Sequence, residues 1–364
     1  MNLIFFGMKF FNFINVLVAL FVFLSACDPY KVDIPEWDYG KDDPSEQPGK
    51  PGEGGSDEDY PVKYPDPSTP KVKTLLTEGL FRETKVKDGI TLYSFEQKKE
   101  EVSNAVQTVF VLEVDLNNKD YKVNFFYCQS DTTSAVAKRQ KAIAAVNACY
   151  EMEAIYCKVN GNVLGTVTLD PDHLRYWKHE AAIVGDGKRK IGMVHGAKGT
   201  NNHKQGGLQA LEIYESLTEK NIYASSPMLI DDFEPVGAYF VPDIYSASDL
   251  NKLDAEDYRR HQGGRNPRVA VALTDDNDLL LVVVDGRFSG KAEGMTAKEL
   301  TNFLVKHFNP RWAINMDGGG SSTMYINGLG DPVNNVLNYP CDNKKWDHYG
   351  QRKRPTYFLI QYDE

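Results

Sequence analysis

From residue 71 onward the chain alternates short apolar runs with polar turns, a pattern that predicts several β-strands. Residues 106–116 are rich in β-branched side chains and predict a strand. Residues 117–120 predict a turn, and residues 121–127 predict the hairpin partner of that strand. Residues 151–225 repeat the alternation as short β-like runs between Gly and Asn turns.

Helical patterns are fewer. Residues 133–146 predict a helix capped by Thr132 or its neighbour, because the segment is rich in alanine. Asn147 follows this segment, where it either lies at a cleft or ends the helix as a C-terminal Asn. Residues 205–216 predict a second helix, and residues 241–263 predict an irregular, charged surface segment with a short helix.

The clearest signals lie in the C-terminal third of the chain. Residues 269–274 predict a strand, and residues 279–284 are entirely apolar, which favours a strand in the centre of a sheet. Residues 296–299 form a capping box, and the apolar positions that follow recur on one helix face until an Asn-Pro pair ends the helix. Residues 312–316 predict the next strand.

These elements form a strand–helix–strand unit, and such a crossover normally joins parallel strands with right-handed sense. Asp285 directly follows the first strand and Asp317 directly follows the second. Both carboxylates are therefore expected at one edge of the sheet, about 5 Å apart if the strands are adjacent and about 10 Å apart if one strand intervenes. Two carboxylates at such a spacing can act as acid and base, or as nucleophile, in the hydrolysis of a glycosidic bond.

A segment rich in glycine and hydroxyl groups follows Asp317: Gly318, Gly319, Gly320, Ser321, Ser322 and Thr323. Glycine lets the backbone approach a ligand closely, and successive N–H groups in such a turn can bind an anion. Arg268 and Arg287 would lie at the same edge, and their guanidinium groups suit a phosphate. The alternatives are a plain turn with a solvated Asp and a structural Asp–Arg ion pair. We favour a site, because ligands of α/β proteins bind at the carboxyl ends of strands.

Together these patterns predict an α+β fold in which helices pack on a mixed β-sheet and one strand–helix–strand crossover carries the site. Residues 71–364 are expected to form a single domain.

Residues 1–27 predict a secretion signal, with Lys9 before a long apolar run. The signal ends in Leu24-Ser25-Ala26-Cys27, which resembles a bacterial lipoprotein box with Cys27 as the lipidated residue. We therefore expect a protein of the bacterial cell envelope that is anchored to the membrane by lipid. The alternatives are an ordinary signal peptide and an uncleaved anchor.

Residues 28–70 differ in composition from the rest of the chain. They contain nine Pro, five Gly, twelve Asp or Glu and four Lys, which predicts a disordered, acidic tether with a net charge of −8. The whole chain carries −10, so residues 71–364 are nearly neutral at −3. This part has no basic excess, and nucleic acid is not an expected partner.

Four cysteines follow Cys27: Cys128, Cys149, Cys157 and Cys341. In an exported protein they can form disulfides in any of three ways, or they can remain free buried thiols. Their spacing is not that of a zinc site. A divalent cation held by the acidic residues stays open, so the metal content is unknown.

Several motifs resemble the phosphodiester glycosidase family. They are Val284-Asp285-Gly286-Arg287, Gly294-Met295-Thr296 with Glu299-Leu300, and the segment from Asn315 to Met324. Asn147 falls at the family's Asn-Ala-Gly-Phe-Phe segment, Asn266-Pro267-Arg268 resembles its His-Pro-Arg motif, and Arg354-Pro355 resembles a late Arg-Pro motif. The resemblance spans about residues 72–362. Cys149-Tyr150 and Asn266 depart from these motifs, and Asn266 takes the place of a His that could transfer protons.

The resemblance implies a hydrolase that cleaves the bond between a sugar and the phosphate of a sugar phosphodiester, with an α-N-acetylglucosamine-like sugar. Asp317 and Asp285 would then be the acid, base or nucleophile, Arg268 and Arg287 would bind the phosphate, and residues 318–323 would hold anionic oxygens. Asn147 would orient a sugar hydroxyl or acetamido group. The alternatives are a non-catalytic, envelope-tethered module that binds sugar phosphates and a cell-wall scaffold protein.

Overall fold

The computed structural model describes residues 61–66, 79–165, 175–200, 203–238 and 245–363. The predicted signal sequence and Cys27 lie outside these residues. Within them, sixteen strands, numbered here in chain order, form three sheets whose strand pairs are all antiparallel. The prediction of a mixed sheet is therefore wrong. The described part of the chain is mostly strand, in several sheets, with few helices.

The largest sheet has seven strands. Their spatial order is β1 (Arg82–Lys87), β2 (Ile90–Glu100), β3 (Ala105–Asp115), β13 (Asp278–Val284), β12 (Arg268–Leu273), β14 (Trp312–Met316) and β11 (Met228–Ile230). The central strands are apolar along almost their whole length because both faces of the sheet are covered.

The other two sheets are smaller. The five-stranded sheet has the order β7 (Asn162–Gly165), β6 (Cys157–Val159), β10 (Asn221–Ser225), β8 (Ala181–Gly185) and β9 (Ile191–Val194). The four-stranded sheet has the order β15 (Met324–Ile326), β5 (Ala144–Asn147), β16 (Arg354–Tyr362) and β4 (Tyr121–Asp131). Side chains from both sheets share one large core with one face of the seven-stranded sheet.

Five helices accompany the sheets in the described ranges: α1 (Thr133–Arg139), α2 (His203–Ser216), α3 (Ala247–Leu250), α4 (Tyr258–Gly263) and α5 (Ala297–His307). In the described part of the chain, no helix combines the length and apolar character needed to cross a bilayer. The predicted helices at α2 and α5 are confirmed, and α3 and α4 lie in the segment predicted to be irregular.

Two predictions in the first half of the domain are wrong. The helix predicted over 133–146 ends at Arg139, and Asn147 is the last residue of β5 rather than a helix terminus. The alanines of β5 are fully buried between β15 and β16, so tertiary pairing outweighs their helix propensity. β4 is not the hairpin partner of β3, because β4 pairs with β16 in another sheet.

The predicted crossover is confirmed in its direction. β13 and β14 are both antiparallel to β12, which lies between them, so they run parallel to each other. Arg268 pairs with Val284 on one side, and Val269 pairs with Met316 on the other. Asp285 and Asp317 therefore leave the same edge of the sheet, with two strand spacings, about 10 Å, between their strands.

Helix α5 fixes this crossover by its cap and its apolar face. Thr296 Oγ1 accepts a hydrogen bond from the Glu299 N–H at 3.0 Å, and Glu299 Oε2 accepts one from the Thr296 N–H at 2.9 Å. Leu300, Phe303 and Leu304 are fully buried against the second face of the seven-stranded sheet. Burial of each such side chain contributes about 1.5–3 kcal/mol.

The last part of the predicted tether belongs to the folded domain. Lys63 exchanges two backbone hydrogen bonds with Met193 of β9, at 2.8 and 2.9 Å. Val62 is buried in the main core, and Tyr64 donates a hydrogen bond to Glu219 at 2.8 Å. Residues 61–66, which lie within the predicted tether, therefore pack on the domain.

Candidate active site

The glycine loop, defined here as residues 317–323, leaves β14 at the sheet edge and makes a 3-10 turn at Gly319–Ser321. Gly319 has a φ of +63°, and a Cβ atom there would lie 3.3 Å from Arg287 Nη2. A Cβ atom at Gly318 would lie 2.5 Å from the Pro267 carbonyl oxygen. Both positions therefore require glycine, the first for its conformation and the second for a close backbone approach.

The backbone N–H groups of the glycine loop are mostly used within the protein. Those of Gly319, Ser321 and Ser322 donate to backbone carbonyls of Pro267, Gly318 and Gly319. The predicted row of successive free N–H groups does not form. The loop can therefore offer a ligand its hydroxyl groups rather than an extended N–H nest.

Asn147 holds the two ends of the glycine loop. Its Nδ2 donates to the Asp317 carbonyl at 2.7 Å, and its Oδ1 accepts from the Thr323 N–H at 3.0 Å. The side chain is completely buried. Because both ends of the amide are bound to backbone, Asn147 sets the shape of the loop, and these contacts do not support the predicted contact with a sugar.

Asp285 also helps to hold the glycine loop, through Asn338. Its Oδ1 accepts from Asn338 Nδ2 at 2.7 Å and its Oδ2 accepts from the Tyr339 N–H at 3.0 Å. Asn338 Nδ2 also donates to the Ser322 carbonyl at 2.9 Å. Burial raises the pKa of Asp285 to about 7, although these hydrogen bonds oppose the shift. The carboxylate therefore anchors the segment at Asn338, and the arrangement does not favour the predicted direct role in catalysis.

Asp317 has a different environment. Its side chain is 10% exposed, and its Oδ2 lies 2.9 Å from Arg354 Nε, although the two atoms are not aligned for a hydrogen bond. Burial raises the pKa of Asp317, the charge of Arg354 and the nearby Ser321 hydroxyl oppose the shift, and the charge of Glu151 adds to it. A buried acid with a raised pKa beside a cation is typical of a proton-transfer group or nucleophile.

Buried polar atoms without a hydrogen-bond partner are concentrated around Asp317. Within the described residues they include Asn315 Oδ1, Asp317 Oδ2, Ser321 Oγ, Ser322 Oγ and Thr323 Oγ1. Buried polar atoms are normally paired, because an unpaired one costs about 1–3 kcal/mol. This concentration indicates a place built to receive a polar ligand.

The two predicted phosphate-binding arginines have different surroundings. Arg268 is 1% exposed and donates to the carbonyls of Met295, His261 and Gly264, each at 2.8 Å. It therefore fixes the chain around α4, and these contacts do not support phosphate binding. Arg287 is exposed, has a φ of +68° and points its guanidinium group at Gly319. It remains the arginine placed to meet a ligand at the glycine loop.

A second charged cluster surrounds Lys178. Lys178 is 3% exposed, and its Nζ lies 2.9 Å from Glu151 Oε2 and 2.8 Å from Glu256 Oε2. The same Nζ lies 5.0 Å from the ring centre of Tyr150 and 5.5 Å from that of Trp177. The charges of Lys178 and Glu151 both act on the pKa of Asp317, in opposite directions. The cluster is therefore near enough to influence Asp317 electrostatically.

The profile of the phosphodiester glycosidase family matches residues 140–361, which include Asn147, Asp285, the glycine loop and Arg354. The chain belongs to the phosphodiester glycosidase family. It is 25% identical over 256 residues to the SPbeta prophage-derived uncharacterized protein YomE of Bacillus subtilis (strain 168), a match that covers 65% of this chain and 34% of that protein. The chain thus spans about a third of the length of this relative.

Solved structures with a similar course of the chain include the catalytic domain of zebrafish N-acetylglucosamine-1-phosphodiester alpha-N-acetylglucosaminidase, auto-inhibited by its pro-peptide. It is 15% identical, with a TM-score of 0.48, over 82% of this chain and 86% of that one. A hypothetical protein from Synechocystis is 13% identical, with a TM-score of 0.48, over 77% and 63% of the two chains. A putative exported protein from Burkholderia pseudomallei is 14% identical, with a TM-score of 0.43, over 71% and 74%.

In this phosphodiester glycosidase the described residues contain no group of three or more His, Cys, Asp or Glu side chains arranged to hold a metal ion. The four cysteines that follow Cys27 are free thiols in the structure. The sequence left open whether these cysteines form disulfides or remain free, and in the structure they are free.

Sequence reasoning missed Arg354, Glu151 and Lys178 as site residues. Arg354 carried a usable signal, since Arg354-Pro355 resembles a family motif. Glu151 follows Asn147 by four residues, but only the folded structure reveals that its charge acts on the pKa of Asp317. Lys178 gave no signal, because its role depends on contacts with Glu151 and Glu256, which are distant in sequence.

Proposed function

We propose that this phosphodiester glycosidase hydrolyses the bond between the anomeric carbon of a sugar and the phosphate of a sugar phosphodiester. Asp317 is the central acid, base or nucleophile, Arg354 orients it, and Arg287 binds the phosphate. We further propose that the sugar is α-N-acetylglucosamine-like. The loop hydroxyls of Ser321, Ser322 and Thr323 then bind sugar or phosphate oxygens.

The observation that carries this proposal is the position of Asp317. The carboxyl group is buried, its pKa is raised, and it lies beside a cation and several unpaired polar atoms. A group that served only the fold would have its hydrogen bonds satisfied within the protein, as Asp285 does. The contrast between the two acids favours Asp317 as the reacting group.

The test is incubation of residues 61–364 with a panel of sugar phosphodiesters that differ in sugar and anomeric configuration. Release of free sugar and a phosphomonoester in equal amounts supports the proposal. Binding of the diesters without release of sugar would support the non-catalytic module instead. The variant Asp275→Asn is a matched control, because this buried acid pairs with Arg311 at 3.0 Å at the opposite end of the same strands.

We also propose that Cys27 is lipidated and holds the enzyme at the cell envelope, where glycan phosphodiesters would be the substrates. The support is the Leu24-Ser25-Ala26-Cys27 sequence. Cys27→Ala is expected to move the protein from the membrane fraction to the soluble fraction or to block its processing. Unchanged fractionation and processing would contradict this proposal.

A further inference from the structure

The arrangement of Asp285 leaves the site without an evident second proton-transfer group. Both carboxylate oxygens of Asp285 accept hydrogen bonds from Asn338 and the Tyr339 N–H, and the group is 1% exposed. Hydrolysis of a glycosidic bond normally uses two groups, one that gives a proton to the leaving oxygen and one that acts at the anomeric carbon. A partner for Asp317 must therefore come from another element.

His261, in the last turn of α4, has the surroundings of such a group. Its ring centre lies 4.8 Å from that of Trp177 and 5.5 Å from that of Tyr150, the same two rings that face Lys178. Its Nδ1 is buried and, within the described residues, makes no hydrogen bond. By contrast, His195 and His307 are paired with carboxylates.

The backbone around His261 is held firmly in place. Arg268 Nη2 donates to the His261 carbonyl at 2.8 Å and to the Gly264 carbonyl at 2.8 Å, so the end of α4 is tied to β12. The Tyr150 hydroxyl accepts a hydrogen bond from Asn315 Nδ2 at 2.9 Å, and Asn315 precedes Asp317 by two residues. Tyr150 therefore links the wall behind His261 to the strand that carries Asp317.

The charges around His261 are mainly positive. Burial and then the charges of Arg268, Lys178 and Arg287 lower the pKa of His261 well below its ordinary value. The negative groups of this cluster, Glu151 and Glu256, are engaged by Lys178. The uncharged His261 imidazole lies among three cations. An anion that binds beside it would therefore raise the proton affinity of the ring strongly.

We propose that His261 gives the proton to the departing phosphate oxygen, as the partner of Asp317. This inference rests on the proposed phosphodiester hydrolysis. When the phosphate enters, its negative charge offsets the nearby cations, and the imidazole takes up a proton from solvent. Arg287, which points at Gly319, would contact the same phosphate.

The step balances as follows. The bond between the anomeric carbon and the phosphate oxygen breaks, and both electrons move to that oxygen, which takes the proton from the His261 imidazolium. Water forms the new bond to the anomeric carbon and gives one proton to the Asp317 carboxylate. Asp317 returns that proton to solvent. The products are the free sugar and a phosphomonoester, and one water is consumed.

The first test is an NMR titration of the histidine ring protons, with and without inorganic phosphate. The His261 signal is assigned by its absence from the spectrum of His261→Gln. We expect saturating phosphate to raise the pH at which His261 titrates by about one unit or more, because the added charge stabilises the imidazolium. The signals of His195 and His307 are internal controls and should not move. An unchanged His261 titration in the presence of bound phosphate would overturn the proposal.

The second test is kinetic and uses His261→Gln beside His261→Ala. Gln can still offer a hydrogen bond but cannot transfer a proton, so both variants should lose about 100- to 10,000-fold in kcat while the thermal midpoint of the Gln variant stays close to that of the wild type. The high-pH limb of the wild-type rate profile should also disappear in the Gln variant. Near-normal turnover by His261→Gln, while Asp317→Asn is inactive, would overturn the role of His261 and leave the proposed function standing. If the wild type hydrolyses no diester, the proposed function fails, and the NMR titration alone decides whether His261 responds to phosphate.

Discussion

Asp285 is expected to behave as a buried anchor whose charge lowers stability at neutral pH. Burial is the main cause that raises its pKa from 3.8 to about 7. The folded protein therefore holds this proton more tightly than the unfolded chain does. The stability that depends on this proton is fully present below about pH 4 and is lost as the pH rises through about 7. The variant Asp285→Asn removes the titration and keeps the shape.

The size of the effect follows from the shift in pKa. A difference of about three units corresponds to about 4 kcal/mol at 1.36 kcal/mol per unit. Asn also adds a constant cost, because its NH₂ group would face either Asn338 Nδ2 or the Tyr339 N–H, both of which are donors. One unpaired buried donor costs about 1–3 kcal/mol.

The assay is urea unfolding of wild type and Asp285→Asn between about pH 4 and about pH 8. The difference between their unfolding free energies isolates this one group, since every other titrating residue is shared. We expect the advantage of the wild type to shrink by about 4 kcal/mol across that range. A difference that does not change with pH would refute the reasoning that Asp285 is a buried acid with a raised pKa.

Three further predictions concern the scaffold of the site. Asn147→Ala leaves the Asp317 carbonyl and the Thr323 N–H without their partner, so it should lower the unfolding free energy by about 2–5 kcal/mol. A loss below about 1 kcal/mol would contradict the role of Asn147 in holding the two ends of the glycine loop. Deletion of residues 28–60 should leave the thermal midpoint unchanged. Deletion of residues 28–66 should lower the midpoint, with a cost of about 1.5–3 kcal/mol from Val62 alone, and equal midpoints would refute the packing of residues 61–66. Burial opposes the charge of His195, but its hydrogen bond with Asp231 and the nearby charge of Glu180 raise its pKa from 6.5 to about 9. The stabilising effect of His195 is therefore fully present below about pH 6.5 and is lost as the pH rises through about 9. A His195→Asn variant should lack this loss, and an identical alkaline stability profile would contradict the prediction.

The elements near the site were predictable because their signals are local. A capping box, one apolar helix face and two apolar runs are enough to define β13, α5 and β14. The parallel direction of the two strands that such a crossover joins then brings Asp285 and Asp317 to one edge. β12 lies between β13 and β14, but the two acids reach the same edge whether the strands are adjacent or separated by one strand. The need for glycine at Gly318 and Gly319 also followed from the sequence.

What the sequence could not show depends on contacts between distant segments. Arg268, Asn147 and Asp285 are residue types that bind ligands, yet their partners are buried backbone and amide groups of their own protein. Lys178 and His261 reach the site only because their segments pack against the same two aromatic rings. The pairing of Lys63 with Met193 was hidden by a composition typical of a tether.

The central claim is that Asp317 takes part in the reaction, whereas Asp285 holds the glycine loop in place. Asn is nearly the same shape as Asp, so Asp317→Asn should preserve the packing of β14 and remove the ionisable group. The deciding measurement is the turnover of a sugar phosphodiester by this variant beside Asp275→Asn, with the thermal midpoint of each. We expect Asp317→Asn to lose about 100- to 10,000-fold in turnover with a nearly unchanged midpoint, and Asp275→Asn to keep its turnover while its midpoint falls. Near-normal turnover by Asp317→Asn with a lowered midpoint would contradict the account.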